Sequence, residues 1–540
     1  MIAETRVPAS RPTNGRARGE GTVRLAAIDI GSNSVRQIVA DVSPTGEIRV
    51  VDEMKASPRL GAQRAPNGAL DTHAMHRAVE TIARMTTLAR QIGAEQIEAV
   101  ATSAVRDAPN GRLFTQRVKR EAGIDIRVLD GPEEARLSWR SAVAHFDLAS
   151  GRCAVLDIGG GSLELALSAG GVVEHLLSLP LGALRLTEDF VSEDGGRPKV
   201  KALRKHVRRV LKEHIRARDW RGARVIGSGG TFTNLAGMVL ARQATPAKSV
   251  HEARVTRADV EHLLFNIQSM TLAERMTIPG LNPDRADIIV AGLAVLAEVM
   301  ARMDAQELVV SNYGIREGLL LETARVAPAA AQEGEARTRS VRQLAERCHY
   351  EAAHAQQVRE LSLQLFDAIG ARIGCVPEER LTLGDAALLH DIGYHISYER
   401  HHKHAYYLIM NAELLGMTPD EQVVIANVAR YHRGAEPKKQ HRNLEALSLE
   451  ARERVTRLAA LLRVADGFDR GHVAAVEKLL VRVAGGVIRI RPYARKAADD
   501  LRLERWGASR KSGLLEAVSG LRVEVTGGRE PAAVAGERVE

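Results

Sequence analysis

Two apolar runs, each closed by an aspartate and a Gly/Ser turn, punctuate the first third of the chain. The first ends in Asp29-Ile30-Gly31-Ser32-Asn33-Ser34 and the second in Asp157-Ile158-Gly159-Gly160-Gly161-Ser162. Each is followed by a further apolar stretch, Val35 to Val42 and Leu163 to Leu167. That pattern predicts a β-hairpin whose turn exposes backbone N–H groups. One unit written twice marks an internal duplication. Apolar residues at helical spacing follow both copies, over His73 to Ile92 and in the basic stretch Lys199 to Arg224, where Leu203, Val207, Val210, Leu211 and Ile215 recur. Strand-like runs at Ile97 to Ala101 and Val225 to Gly227 alternate with them, which reads as a pair of α/β units.

Between Thr323 and Val341 the composition shifts to Ala, Pro, Glu and Arg without periodicity, the mark of a connection. From Arg342 to about Asp469 the pattern is almost wholly helical and histidine becomes frequent. Alternating runs at Val487 to Arg491 and Leu521 to Val525 then suggest a small α+β unit. The expected division is a flexible tail over 1–22, α/β domains over 23–145 and 146–325, and a linker over 326–341. A helical domain over 342–480, a small α+β domain over 481–527 and a flexible tail over 528–540 complete it.

Length and composition narrow the class. A chain of 540 residues is too long for one hydrophobic core. Its 45% hydrophobic and 26% charged residues are those of a globular protein. No apolar run approaches a membrane span and the start lacks the apolar core of a secretory signal, so a cytoplasmic location is expected. Cys153, Cys348 and Cys375 are odd in number and far apart, and read as free thiols. The net charge of +9 favours anionic partners without choosing among them, and the basic 199–224 stretch reads as a solvated helix.

The turns carry the candidate chemistry. Glycine lets backbone approach a phosphate and point successive N–H groups at its oxygens, as Gly159, Gly160, Gly161 and Ser162 are placed to do. Asp157 before the turn and Glu164 after it are hard oxygen donors suited to a cation that neutralises phosphate. In the helical stretch, His354, His390, Asp391, His404, His432 and Asp466 form an ordered set of metal-ligand types; His401 and His402 are further imidazoles without an assigned role.

Five segments in order resemble the motif series of the exopolyphosphatase/guanosine pentaphosphate phosphohydrolase (Ppx/GppA) family. They are Asp29 to Ser34, Ala101 to Asn110, Gly131 to Leu137, Asp157 to Glu164 and Gly227 to Thr231. The resemblance covers nearly all of the chain after its first twenty-odd residues. It implies an α/β fold of two ribonuclease H-like domains, of the actin, sugar-kinase and heat-shock-chaperone superfamily, with the active site between them. An all-α HD-type domain and a small α+β C-terminal domain follow. By place in the motifs, Glu134 is the implied general base, Glu133 a solvated neighbour, and Arg106 a phosphate ligand that stabilises developing charge. Ser32, Asn33, Ser34, the Gly159–Ser162 turn and Ser228, Gly229, Gly230 and Thr231 are implied phosphate contacts, with Asp157 and Glu164 on Mg2+.

The His-Asp set is similar to that of HD-type phosphohydrolases and implies a second divalent metal site. The implied activity is removal of terminal phosphate from inorganic polyphosphate. Guanosine penta- or tetraphosphate is the alternative ligand at the same site. A kinase or ATPase of the same superfamily, or a silent polyphosphate or alarmone sensor, is the alternative of another class. A homodimer is implied, with neither a membrane nor a specific nucleic acid as partner.

Overall fold

The computed structural model describes residues 21–62, 67–149, 151–191, 199–243, 249–326, 335–412, 414–496 and 500–527. The expected terminal tails therefore lie outside the described residues apart from 21 and 22, as do residues 327–334 of the expected linker.

Both expected hairpins form. The strands β1 (Val23–Ile30) and β2 (Val35–Val42) pair antiparallel, and β3 (Ile48–Ala56) continues the meander. After the helix Thr72–Ile92 the chain returns as β4 (Gln96–Ala101), parallel to β1, with β5 (Ile126–Val128) beside it. The second sheet repeats the scheme. Its meander is β6 (Arg152–Ile158), β7 (Leu163–Ala169) and β8 (Val172–Leu179), and β9 (Arg224–Ser228) runs parallel to β6. Of its last two strands, β10 (Arg254–Thr256) and β11 (Glu307–Val310), the latter is parallel to β9 and the former is an antiparallel edge. The central strands β1 and β6 are buried along most of their length, which is why they read as continuous apolar runs.

The basic helix Val200–His214 buries Leu203, Val207, Val210 and Leu211 as its spacing requires. It is not wholly solvated on its other faces. Arg204 and Arg208 both bond the buried Glu298, at 2.6 and 2.9 Å.

One helix departs from the expected division. Ile315–Thr323 falls within 146–325, yet Leu319 and Leu320 share a core with Leu25, Ile38 and Val100 of the first sheet. The helix Gly131–His145 does the reverse, sending Ala142 and Val143 among Val155, Ala166 and Ile226 of the second. The two helices cross at Gly318, where any Cβ would overlap the Leu137 carbonyl. The chain thus passes between the two sheet units twice.

The helix Glu335–Arg347 starts inside the expected linker. Burial explains it: Arg337 Nε lies 2.6 Å from Asp385 and its Nη1 2.7 Å from Glu421, while Val341 and Leu344 enter the core. The helices Ala352–Ile369, Glu379–Leu389, Pro419–Arg430 and Leu449–Gly467 follow, with His401–Met410 among them. Among the described residues no helix is long and apolar enough to cross a membrane.

The terminal sheet also starts earlier than expected, since β12 (Val476–Ala484) precedes position 481; it pairs antiparallel with β13 (Val487–Ala494), and β14 (Arg522–Val525) is parallel to β13. Val476, Ile488, Ile490 and Val523 lie in the same core as the helices, so this sheet extends the helical body and has no core of its own. That body touches the second sheet unit through Gly416 N, which donates to Glu252 Oε1 at 2.7 Å.

Candidate active site

The two Gly/Ser turns meet across a cleft, and they are built alike. Gly31 N donates to Ser34 O and Gly159 N to Ser162 O, each at 3.0 Å. A Cβ on Gly160 would lie 3.0 Å from Ser32 Cβ and 3.1 Å from Asn33 N; one on Gly161 would overlap Ser103 Oγ and reach 2.7 Å from Ser32 Oγ. Glycine at these positions is therefore demanded by the opposite turn. This packing constraint was not read from the sequence, where the reason offered was backbone approach to a phosphate.

Carboxylates crowd the cleft. Asp29, Glu134, Asp157, Glu164 and Glu317 all line it, against Arg36, Arg285 and Arg316. The duplication shows why. In the first hairpin the register sets Asp29 opposite Arg36, and at the same place in the second it sets Asp157 opposite Glu164. Burial pushes Glu164 up to about 8, against the hydroxyls of Ser162 and Ser178, and the charge of Asp157 adds to the rise. Asp29 rises to about 6 by burial, restrained by Arg36 and Arg316, and its Oδ1 is buried with no partner. Burial also raises Asp157, whose Oδ2 accepts from Ser228 Oγ at 3.1 Å.

Glu134 enters from a helix start that the sequence fixes locally. Asp130 Oδ1 accepts from Glu133 N at 2.7 Å and Glu133 Oε2 accepts from Asp130 N at 2.9 Å, a reciprocal capping box with Pro132 in the first turn. Glu133 is thereby held outside and Glu134 turned inward, 4% exposed. Burial, then the charge of Glu164, raises the Glu134 carboxyl well above its usual range, while Arg106 opposes the shift. Arg106 Nη1 donates to Glu134 Oε2 at 3.1 Å and to Leu129 O at 3.0 Å.

Residues 38–326 match the Ppx/GppA phosphatase family model, and residues 336–489 match domain III of the same family. The chain belongs to the Ppx/GppA phosphatase family. It is thus a hydrolase of phosphoric anhydride bonds, and its paired sheets are the duplicated fold that the resemblance implied. A solved exopolyphosphatase from Cytophaga hutchinsonii is 25% identical with a TM-score of 0.52, covering 56% of this chain and 98% of its own. A solved exopolyphosphatase-like protein is 26% identical, with a TM-score of 0.51 and coverages of 56% and 99%. The Ppx/GppA family member of Aquifex aeolicus is 29% identical, with a TM-score of 0.49 and coverages of 56% and 98%.

Most of the expected Ppx/GppA site residues line this cleft: Ser32, Asn33, Ser34, Gly159 to Ser162, Gly229 and Gly230, with Glu134, Asp157 and Glu164. Two do not. The Ser228 hydroxyl is bonded to Asp157 and Thr231 Oγ1 faces the Ile158 carbonyl at 3.5 Å, so both support the strands beneath and Thr233 lines the cleft instead. Arg106 stands behind Glu134, its guanidinium directed at that carboxylate. Sequence reasoning missed Asp29 as a cleft carboxylate, although its place in the repeat matches Asp157. It also missed Arg36, Arg285, Arg316 and Glu317. Arg36 carries a signal, being the register partner of Asp29; the others come from segments with no local motif.

In domain III, His354, His390, Asp391, His432 and Asp466 do converge. Donor atoms of His354, His390 and Asp391 lie within 4.8 Å of one another, and so do those of Asp391, His401 and His432. His404 is not in either group, and His401 takes the place expected of it. The helix His401–Met410 buries His401, Ala405 and Ile409, one face at spacing four, and His404 lies off that face.

Proposed function

We propose that this chain is an exopolyphosphatase, cleaving orthophosphate from the ends of inorganic polyphosphate. The observation that carries the reading is Glu134. It is buried, its carboxyl is raised well above the usual range, an arginine contacts it, and it is set beside two turns of serine hydroxyls and backbone N–H groups. In this reading Glu134 orients a water and takes its proton as the water oxygen attacks the terminal phosphorus; the P–O bond to the penultimate phosphate breaks in line. Ser32, Asn33, Ser34, Gly159 to Ser162, Gly229 and Gly230 hold phosphate oxygens, and Arg36, Arg285 and Arg316 offset their charge.

Magnesium fits the donor set. Among the described residues the cleft lining offers oxygen donors and neither histidine nor cysteine, with carboxylates in excess over arginines and one carboxylate oxygen orphaned on Asp29. Among the described residues no three donor atoms of this cleft lie within 4.8 Å of one another, so Asp157 and Glu164 would hold the ion directly or through the waters it retains. When bound it would neutralise phosphate oxygens and bring the raised carboxyls back to their ionised forms.

Guanosine pentaphosphate would reach the same atoms, but among the described residues lining the cleft none is aromatic, and the only side chains larger than alanine that are apolar are Ile158 and Ile315. The described lining offers no aromatic face to a base, which favours an inorganic chain. Phosphate release from defined polyphosphates and from guanosine pentaphosphate, measured in parallel with and without Mg2+, tests this; turnover of the nucleotide alone sinks it. The same reading takes the protein as a cytoplasmic homodimer, which sedimentation of the purified full chain checks.

A further inference from the structure

Taking Glu134 as the base and the Gly/Ser turns as phosphate holders, a reading on which this inference rests, we propose that Arg185 is a positioning residue for the hydrolysis. It holds the second turn in register with Glu134 by way of Asp107 and Arg106, although it does not itself line the cleft. The carbonyls of that turn show how. The helix Ala183–Phe190 starts against them: Ala183 N donates to Gly159 O at 2.9 Å, Leu184 N to Gly160 O at 2.9 Å and Arg185 N to Gly160 O at 3.0 Å. The third carbonyl, Gly161 O, accepts from the Arg185 side chain, Nε at 3.0 Å. Gly182 permits this approach, since a Cβ there would overlap Gly160 O and the backbone of Gly161. A trans peptide sets its C=O and N–H on opposite edges, so tying down three successive carbonyls turns the N–H groups of Gly160, Gly161 and Ser162 away from the helix. Those N–H groups are what the turn has to offer a phosphate.

The same guanidinium reaches the first sheet unit. Arg185 Nη2 donates to Asp107 Oδ2 at 2.8 Å, and the other oxygen of Asp107 lies 3.5 Å from Arg106 Nε. Arg106 in turn donates to Glu134 Oε2. Asp107 ends the single helical turn Ser103–Arg106, whose first residue packs on Gly161, where a Cβ would overlap Ser103 Oγ. The second Gly/Ser turn therefore meets this segment at both ends, by direct contact at Ser103 and through Arg185 at Asp107.

Arg106 stands between two carboxylates, Asp107 and Glu134. With Arg185 engaged on Asp107, Arg106 is left to Glu134; without it, Asp107 competes for the same guanidinium. The side chains of Arg185 and Asp107 are 32% and 38% exposed, and an ion pair this open to solvent contributes little to folding. Its effect is on distance and angle, and a displacement of about 1 Å between a base and the group it serves costs on the order of 10²-fold in rate.

The variants Arg185→Gln, Arg185→Lys, Asp107→Asn and the double Arg185→Gln/Asp107→Asn are made in the full chain. Phosphate release is followed, beside Glu134→Gln, with whichever of a defined polyphosphate and guanosine pentaphosphate the wild type hydrolyses. Arg185→Gln and Asp107→Asn should each lower kcat by about 10- to 100-fold while KM moves far less and the melting temperature stays close to that of wild type. The double variant should be no slower than the slower single one, because both changes break one link. Arg185→Lys, which keeps a cation for Asp107 but lacks the planar fork that spans to Gly161 O, should recover part of the rate. Asp107→Asn carries the test if Arg185→Gln does not fold. Unchanged kcat in either folded single variant, an effect on KM alone, or single losses that multiply in the double variant would each overturn the proposal. Turnover of neither substrate by the wild type, or near wild-type turnover in Glu134→Gln, would overturn the reading of the cleft and the proposal with it.

Discussion

Asp157 and Glu164 face each other at one register position of the second hairpin, where the first hairpin sets Asp29 against Arg36. An acid pair in place of an ion pair leaves charge that a retained proton or an added cation must offset. A carboxyl raised in the folded state contributes stability below its unfolded value and loses it as pH rises through the folded one. With Glu164 at about 8 and Asp29 at about 6, the metal-free protein should lose thermal stability from the ordinary carboxyl range up to about pH 8. Calorimetry should show Glu164→Gln flattening that slope and Mg2+ restoring most at its upper end. Parallel profiles for variant and wild type would remove Glu164 as the origin.

Glu134→Gln should lower polyphosphate turnover by about 10²- to 10⁴-fold with substrate binding largely kept, because the base acts on water and adds little to ground-state affinity. Steady-state turnover beside equilibrium binding of a defined polyphosphate measures both. Near wild-type turnover would end the role assigned to Glu134.

Removing Arg106 takes away a charge that holds the Glu134 carboxyl down. In Arg106→Ala the acid limb of the kcat/KM profile should therefore move to higher pH, since the base would stay protonated over a wider range. An acid limb that does not move would make the 3.1 Å contact structural only.

Gly160→Val should impair affinity and rate together, and the cause lies in the opposing turn. The new side chain would press on Ser32 and Asn33 and part the two Gly/Ser turns. Ser32→Gly in the same molecule should recover some of the activity. Complete failure of that rescue would place the damage elsewhere.

Arg337→Ala should destabilise the helical body by about 3 kcal/mol, because it leaves the buried Asp385 without its cation and Glu421 with a weaker setting. Chemical denaturation followed by far-ultraviolet circular dichroism reads this out, and a change under half that size would show the network to be replaceable.

The hairpins and their shared turn were legible because each is specified within a dozen residues. Asp29-Ile30-Gly31 and Asp157-Ile158-Gly159 announce strand and turn. What could not be read depends on contacts between distant segments. Gly160 and Gly161 are set by Ser32 and Ser103, and the site of Arg285 by a loop packing over Gly230. His401 and His404 are alike as residue types, and only the buried face of their helix tells them apart. The return of Ile315–Thr323 to the first sheet rests on Gly318 against Leu137, a contact with no local signature.

The helical body is joined by chain to a helix seated on the first sheet unit and by the Glu252–Gly416 bond to the second. A body tied to both sides of a cleft can pass movement on one side to the other, here through the Glu252–Gly416 bond. A chain cut after Thr323 would keep every residue described as lining the cleft and lose that link.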